Sequence, residues 1–257
     1  MSVNLSSTSR DTLHYAGYTH YPHRVEEQLS SIPIAQNHIL LRHILQTVDP
    51  QSCPYSYNFH MHTVKSDGQL QPEEIIEQAL AIGLSGLAIS DHHSINGYHQ
   101  AQACLNAWKA SQPEENDQKV PLLWTGVEIT ADLFNTRVHI LGYAFDPNAS
   151  CLQPYLQGQP GTETLDEANK VINAIQQAGG LAVLAHPARY RRPAAQLIPQ
   201  AARLGIDGVE VYYDYRPTNP WLATPKITEE VEQLSQTYGL LKTCGTDTHG
   251  TNLLLRR

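Results

Sequence analysis

The stretch NFHMHTVKSDG, residues 58–68, closes a short apolar run with two histidines one residue apart and sets a carboxylate five residues beyond the second. Residues i and i+2 of a strand project to one side, so His60 and His62 can offer two imidazoles to a single ion. Later positions repeat the arrangement: His92, Glu128 with His139, His186, and Asp247 with His249 each follow or sit within an apolar run that reads as buried strand. One such coincidence would mean little. Together they predict a ring of strand ends converging on a metal cluster.

Outward from this stretch the chain alternates. Pro72, with acidic residues behind it, opens a helix over 72–82 that Gly83 stops. Strands are predicted at 56–60, 86–90, 121–127, 137–143, 181–185, 208–213 and 240–244, with helices at 97–110, 164–178, 194–204 and 226–238. Seven strands, most followed by helices, are the pattern of a parallel barrel or wound sheet. Functional groups of such barrels sit at the C-terminal ends of strands, and every candidate falls there except His139, inside its strand. The short connection 129–136 allows an antiparallel hairpin at that point. Upstream, residues 1–50 read as an extension. A Tyr/His/Pro cluster with His14, His20 and His23 reads as solvated, and 39–48 as a helix packed outside the main domain. The chemistry is expected in 51–257.

Composition narrows the class. At 257 residues the chain can bury one large core, and its 41% hydrophobic and 16% charged content are those of a globular protein. A formal charge of −8 argues against a broad basic surface for duplex DNA, while 13 histidines against 17 Lys+Arg favour metal binding. The four cysteines are widely spaced and form neither a disulfide framework nor a zinc knuckle. No run approaches the ~18 apolar residues of a membrane span. The expectation is a soluble, cytoplasmic protein with no membrane partner. Without a P-loop or a Gly-rich dinucleotide fingerprint, phosphoryl transfer from ATP and hydride transfer lose support.

His60, His62, Asp67, His92, Glu128, His139, His186, Asp247 and His249 outnumber the roughly four ligands of one tetrahedral ion. The surplus implies two or three divalent ions, Mn, Zn, Fe or Mg. Carboxylates bridging ions ~3.5 to 4 Å apart suit two-metal hydrolysis of phosphate esters.

At this point the motifs FHMHTVKSDG, ISDHH, GVEIT, VHILGY, LAHPARY and GTDTHG, in this order over residues 57–250, resemble the PHP (polymerase and histidinol phosphatase) family. The resemblance implies an α/β fold, a distorted seven-stranded (β/α) barrel, holding up to three metals. It implies one ion on His60, His62, Glu128 and Asp247, a second on Glu128, His139 and His186, and a third on Asp67, His92 and His249. Within the family, HxHTxxSDG with AHPxRY is similar to the branch that acts on nucleoside 3′,5′-bisphosphates and short 5′-phosphorylated RNA. That branch usually reads DHD where this chain has Asp91-His92-His93, and it often carries a long insertion before AHP that is absent here.

The expected activity is that of a metal-dependent phosphoesterase on a small phosphorylated substrate, a nucleotide or short oligonucleotide. A histidinol-phosphate-type phosphatase is the alternative within the class, and a non-catalytic metal-stabilised binding module the alternative outside it. Asp247 and Arg189 are the candidate catalytic groups, with Asp247 or a metal-bound water as the proton donor to the leaving group. Arg189, whose guanidinium can grip a phosphate bidentately, His93 and Lys65 are the candidate substrate contacts. Asp91 is placed to orient an imidazole, and Tyr212, Tyr213 and Tyr215 to stack on a base. His186 precedes Pro187, which biases it to extended backbone.

Overall fold

Eight short strands fall into two sheets in the computed structural model, which describes residues 32–113, 119–158 and 166–256. The first sheet is parallel, in the order β1 (Tyr57–Asn58), β2 (Gly86–Ala88), β3 (Leu122–Trp124). The second runs β4 (Gly126–Asp132), β5 (Arg137–Tyr143), β6 (Leu181–Leu184), β7 (Gly208–Tyr212), β8 (Leu241–Cys244). β5 is antiparallel to both β4 and β6, and the remaining pairs are parallel.

The α/β class is as expected, but the strand count differs because the strand predicted at 121–127 breaks at Thr125. There the Thr125 N–H donates to Ala35 O at 3.0 Å and its hydroxyl to Phe145 O at 2.8 Å, so its bonding leaves the ladder. Gly126 then passes so close to Ile89 that a Cβ would collide with its carbonyl. The chain re-enters a sheet as β4, which places Glu128 inside a strand rather than at an end. β4 and β5 are the anticipated hairpin. Phe134 and Asn135 both have φ near +55°, and Leu133 and Thr136 exchange two backbone bonds. That is the two-residue turn whose twist suits a hairpin.

The two sheets meet along two seams. On one, the Phe59 N–H donates to Cys244 O, Asp247 N–H to His60 O and His62 N–H to Thr248 O, at 2.8 to 3.1 Å. On the other, Glu128 N–H donates to Asp91 O and His93 N–H to Glu128 O. These seams matter because the candidate ligands sit on them.

Helices α1 (His38–Leu45), α2 (Pro72–Ile82), α3 (Asn96–Ser111), α4 (Ala168–Gln177), α5 (Ala194–Arg203) and α6 (Pro225–Thr237) fill the connections. α1 starts where the Asn37 side chain accepts the Leu40 N–H at 2.9 Å, a cap worth about 1 kcal/mol. It buries Leu40, Leu41, Ile44 and Leu45. Since Pro33–Arg257 gathers into one unit, the boundary drawn at residue 50 falls inside it. The cluster with His14, His20 and His23 lies outside the described residues. α2 has Pro72 at its first turn, Glu74 accepting the Gln71 N–H at 2.7 Å, and Gly83 at φ +81° closing it. Ile75, Ile76, Ala79, Leu87, Ile89, Ala101 and Leu105 pack between α2, α3 and β2. Each large aliphatic side chain buried there contributes roughly 1.5–3 kcal/mol over exposure.

Candidate metal centre

The ligands predicted from sequence converge. His60, His62, Asp67, His92, His139, His186, Asp247 and His249 gather around Glu128, and most of them line a cleft of about 690 Å³ that also holds Gln69, Arg189, Thr251 and Arg256. Glu128 is the hub. Its Oε2 lies 3.1 Å from both His60 Nε2 and His62 Nε2 and 3.5 Å from His92 Nδ1, while Oε1 lies 2.7 Å from His139 Nδ1 and 3.3 Å from His186 Nε2. Asp247 Oδ1 completes the deep side, 3.4 Å from His60 Nε2 and 3.2 Å from His62 Nε2. Toward the rim, Asp67 Oδ2 lies 3.2 Å from His249 Nε2 and 3.7 Å from His92 Nε2.

Three groups have ligand atoms within 4.8 Å of one another: His60, His62, Glu128, Asp247; His62, Asp67, His92, His249; and His92, Glu128, His139. The first matches the expected set, and the second adds His62 to the expected third set. The last substitutes His92 for His186 beside Glu128 and His139, although His186 still reaches Glu128.

The donor set fits divalent ions. His62 has both ring nitrogens buried without a hydrogen bond, and so has His186 at Nδ1, an arrangement that is costly unless a further partner binds. Burial pushes Glu128 and Asp247 up, but the surrounding histidines outweigh it and hold both carboxylates well below the usual range. Burial likewise lowers His62, yet Asp247 and Glu128 raise it to about 9. A field that favours a proton there favours a cation of any kind. His92 is pushed down to about 4, by burial first and then by His62 and His139, which keeps it neutral as a ligand must be.

Backbone geometry aims these groups. Gly245 lets the segment after β8 touch the segment after β1, since a Cβ there would collide with His60. His186 has φ +25° and Asp247 φ +53°, both in the left-handed region. The extended backbone expected for His186 is therefore absent; its N–H is held by Glu210 Oε2 at 2.8 Å.

Other expectations change. His93 turns inward at φ +49° and is 3% exposed, with Nδ1 donating to Tyr155 O at 3.1 Å and Nε2 accepting the Thr130 N–H at 3.0 Å. Both ring nitrogens serve the scaffold, and His93 does not line the cleft. Lys65 does not line the cleft; its loop is folded over by the Lys65 N–H donating to Thr63 Oγ1. Asp91 orients no imidazole: it accepts the Thr63 N–H, the Thr63 hydroxyl and the Ser66 hydroxyl, each at 2.7 Å, and so braces the loop that carries Asp67. Tyr212 and Tyr213 are buried and offer no face to a base.

Arg189 does line the cleft, donating from Nη1 to Asp247 Oδ2 at 2.9 Å and to the Tyr213 hydroxyl at 3.0 Å. Two residues were missed. Arg256 lies with Nε 3.3 Å from Asp247 Oδ2 on the cleft wall, and no motif marks it. Glu210 lies beneath the cluster, fully buried. A lone carboxylate within the apolar run GVEVYY was its one signal, since Glu is almost never fully buried unless paired.

Comparison with known proteins identifies the family. The PHP domain matches residues 58–186, half of the chain, which carries every ligand candidate but Asp247 and His249. The chain belongs to the PHP domain family. Among curated relatives it is 28% identical over 158 residues to a 5′-3′ exoribonuclease of Haemophilus influenzae, covering 59% of this chain and 53% of that one. It is 30% identical over 123 residues to a 3′,5′-nucleoside bisphosphate phosphatase of Chromobacterium violaceum, covering 48% and 39%. The chain thus spans about half or less of these relatives. A solved structure assigned as a metal-dependent phosphoesterase from Bifidobacterium adolescentis superposes with a TM-score of 0.62 at 22% identity, over 79% of this chain and 90% of that one. No helix among the described residues is long and apolar enough to cross a membrane.

Proposed function

We propose that this chain is a metal-dependent phosphoric ester hydrolase acting on small nucleotides, either a nucleoside 3′,5′-bisphosphate or a short 5′-phosphorylated oligonucleotide. The observation that carries the reading is a single cleft in which a carboxylate hub with five histidines around it faces two guanidinium groups, Arg189 and Arg256. The names of the two curated relatives support the nucleotide class. In this reading the two sheets, joined at their seams, act as the distorted barrel of the family, and residues 51–257 carry the chemistry.

His60, His62, Glu128 and Asp247 would hold one ion, Glu128, His139 and His186 a second, and Asp67, His92 and His249 a third. Divalent ions, Mn, Zn, Fe or Mg, would supply the charge that neutralises phosphate oxygens and activates water when bound. Arg189 holds the anionic ester. Its bonds to Tyr213 and Asp247 engage only Nη1, leaving donors of its five for a bidentate grip. Asp247 splits its oxygens, Oδ1 toward His60 and His62 and Oδ2 accepting from Tyr213 and Arg189. Held anionic on both sides, it ligates and orients rather than donating a proton to the leaving group. His92 and His186, kept low by burial, stay available as neutral ligands.

A phosphate-release screen with Mn, Zn, Mg and Fe tests this. Adenosine 3′,5′-bisphosphate and 5′-phosphorylated oligonucleotides should be hydrolysed faster than histidinol phosphate. The reverse order would overturn the substrate class, and a fully metallated protein inactive on all three would overturn the enzyme.

A further inference from the structure

Glu210 of β7 is fully buried, and both of its oxygens face donors that belong to candidate ligands. Oε1 lies 2.9 Å from His60 Nδ1, and Oε2 accepts the His186 backbone N–H at 2.8 Å. Under the ligand sets above, these two histidines serve different ions. One buried carboxylate therefore braces two parts of the cluster from behind, out of reach of substrate.

We propose that Glu210 is a positioning residue that fixes the ring tautomer of His60 and the backbone of His186 together; this rests on the reading of both histidines as ion ligands. The argument is a count of donors and acceptors. A carboxylate only accepts, so with an ion bound His60 would donate from Nδ1 and present an unprotonated Nε2 to the cluster. That Nε2 is the atom 3.1 Å from Glu128 Oε2 and 3.4 Å from Asp247 Oδ1. At His186 the constraint falls on the main chain. A φ of +25° is disfavoured for a residue with a Cβ. The bond to Glu210, with the Arg189 N–H donating to His186 O at 2.9 Å, pins that turn from both sides.

Glutamine at 210 separates this role from mere filling of buried space. The His186 N–H can only donate, so it claims the single amide oxygen of Glu210→Gln. The amide NH₂ then faces His60 Nδ1, which must accept, and the ring proton moves to Nε2, the atom needed by the ion. Alanine leaves His60 Nδ1 without a partner but imposes no tautomer. A positioning role therefore predicts that Gln harms metal binding more than Ala, whereas a packing role predicts the opposite order.

The test uses the full chain and zinc as the probe, with affinity from competition against a chromophoric chelator and stoichiometry from elemental analysis. Long-range 1H–15N correlation of the histidine rings in the zinc-loaded protein reads the tautomer. Wild type should carry the His60 ring proton on Nδ1. Glu210→Gln should lose about 10- to 100-fold in zinc affinity, the range typical of groups that orient metal-bound histidines, and Glu210→Ala should lose less. Folded Glu210→Gln with wild-type affinity and stoichiometry would overturn the proposal, as would an Ala variant weaker than Gln. Should both variants unfold, the wild-type spectrum decides alone, and a His60 proton on Nε2 overturns it. Zinc binding is read without any ester, so failure of the phosphoesterase reading leaves this result standing.

Discussion

The two sides of the cleft are built differently. His60, His62, Glu128 and Asp247 have side chains no more than 2% exposed, whereas those of Asp67, His92, His139 and His249 are 53, 25, 26 and 28% exposed. Backbone bonds along the seams position most of the deep set, and Glu210 locks it from below. On the rim, Asp67 sits in a loop that Asp91 braces through side-chain bonds to Thr63 and Ser66. Charges interact strongly where water is excluded and weakly where it is not. The deep side should therefore hold its ions tightly and the rim should exchange.

The largest effect that could break this contrast comes from the deep side. Replacing His60 and His62 together by Ala removes both imidazoles from the Glu128–Asp247 set, leaving Glu128 Oε2 and Asp247 Oδ1 without their nearest histidine partners. Metal uptake and phosphate release should both fall to background, measured by elemental analysis after gel filtration and by a phosphate assay. Hydrolysis retained in a folded double variant would sink the assignment of this cluster as the reaction centre.

A smaller, more selective loss is expected at the rim. Asp67→Asn keeps the loop's shape but removes an anion that is pulled down to about 2; burial raises it, and His249, His62 and His92 outweigh that. One ion should be lost, the others retained, and activity should fall by about 10- to 100-fold rather than vanish. In wild type, graded chelation should strip the same ion first. If Asp67→Asn instead empties the whole cluster, the two sides are one cooperative unit and the contrast is wrong.

What the sequence made legible follows the same division. Spacing of i and i+2 marked His60 with His62, because extended backbone makes such pairs face one way, and marked Asp247 with His249, although a left-handed backbone at Asp247 replaces the extended one there. Those residues are local in sequence and their meaning survives folding. Glu210 and Arg256 were not legible for the opposite reason: each matters through a partner from another strand or loop, His60 in one case and Asp247 in the other. His93 shows the converse error. Its place beside His92 suggested the substrate, but a left-handed backbone turns the ring inward to serve β4 and Tyr155. The break of one predicted strand at Thr125 likewise depends on Ala35, ninety residues away, and no local propensity encodes it.

The smallest effect lies outside the cleft and sharpens the contrast by separating loss of ions from loss of fold. Glu232 of α6 accepts from Lys242 Nζ of β8 at 2.8 Å and from the Tyr212 hydroxyl at 2.9 Å, on side chains 24 to 29% exposed for the charged pair. The bond from Lys242 holds Glu232 below the usual carboxylate range, burial opposing and Tyr212 assisting. A carboxyl depressed in the folded state stabilises it above the unfolded value of about 4.3, and that contribution is lost as pH falls through the folded value. Lys242 behaves in the opposite sense: burial lowers it, but Glu232 and Tyr212 raise it, so its contribution is present below ~10.4 and fades above. Glu232→Gln should therefore cost about 0.5–1 kcal/mol at pH 7, the scale of a partly exposed pair. The difference from wild type should shrink toward zero below about pH 4, read by urea unfolding across pH 3 to 8 on protein stripped of metal. Metal stoichiometry at pH 7 should not move. A pH-independent difference would mean that packing rather than charge joins α6 to β8. A changed ion count would mean that stability of this outer face reaches the deep cluster, and the loss seen on replacing His60 and His62 could then no longer be assigned to the ligands alone.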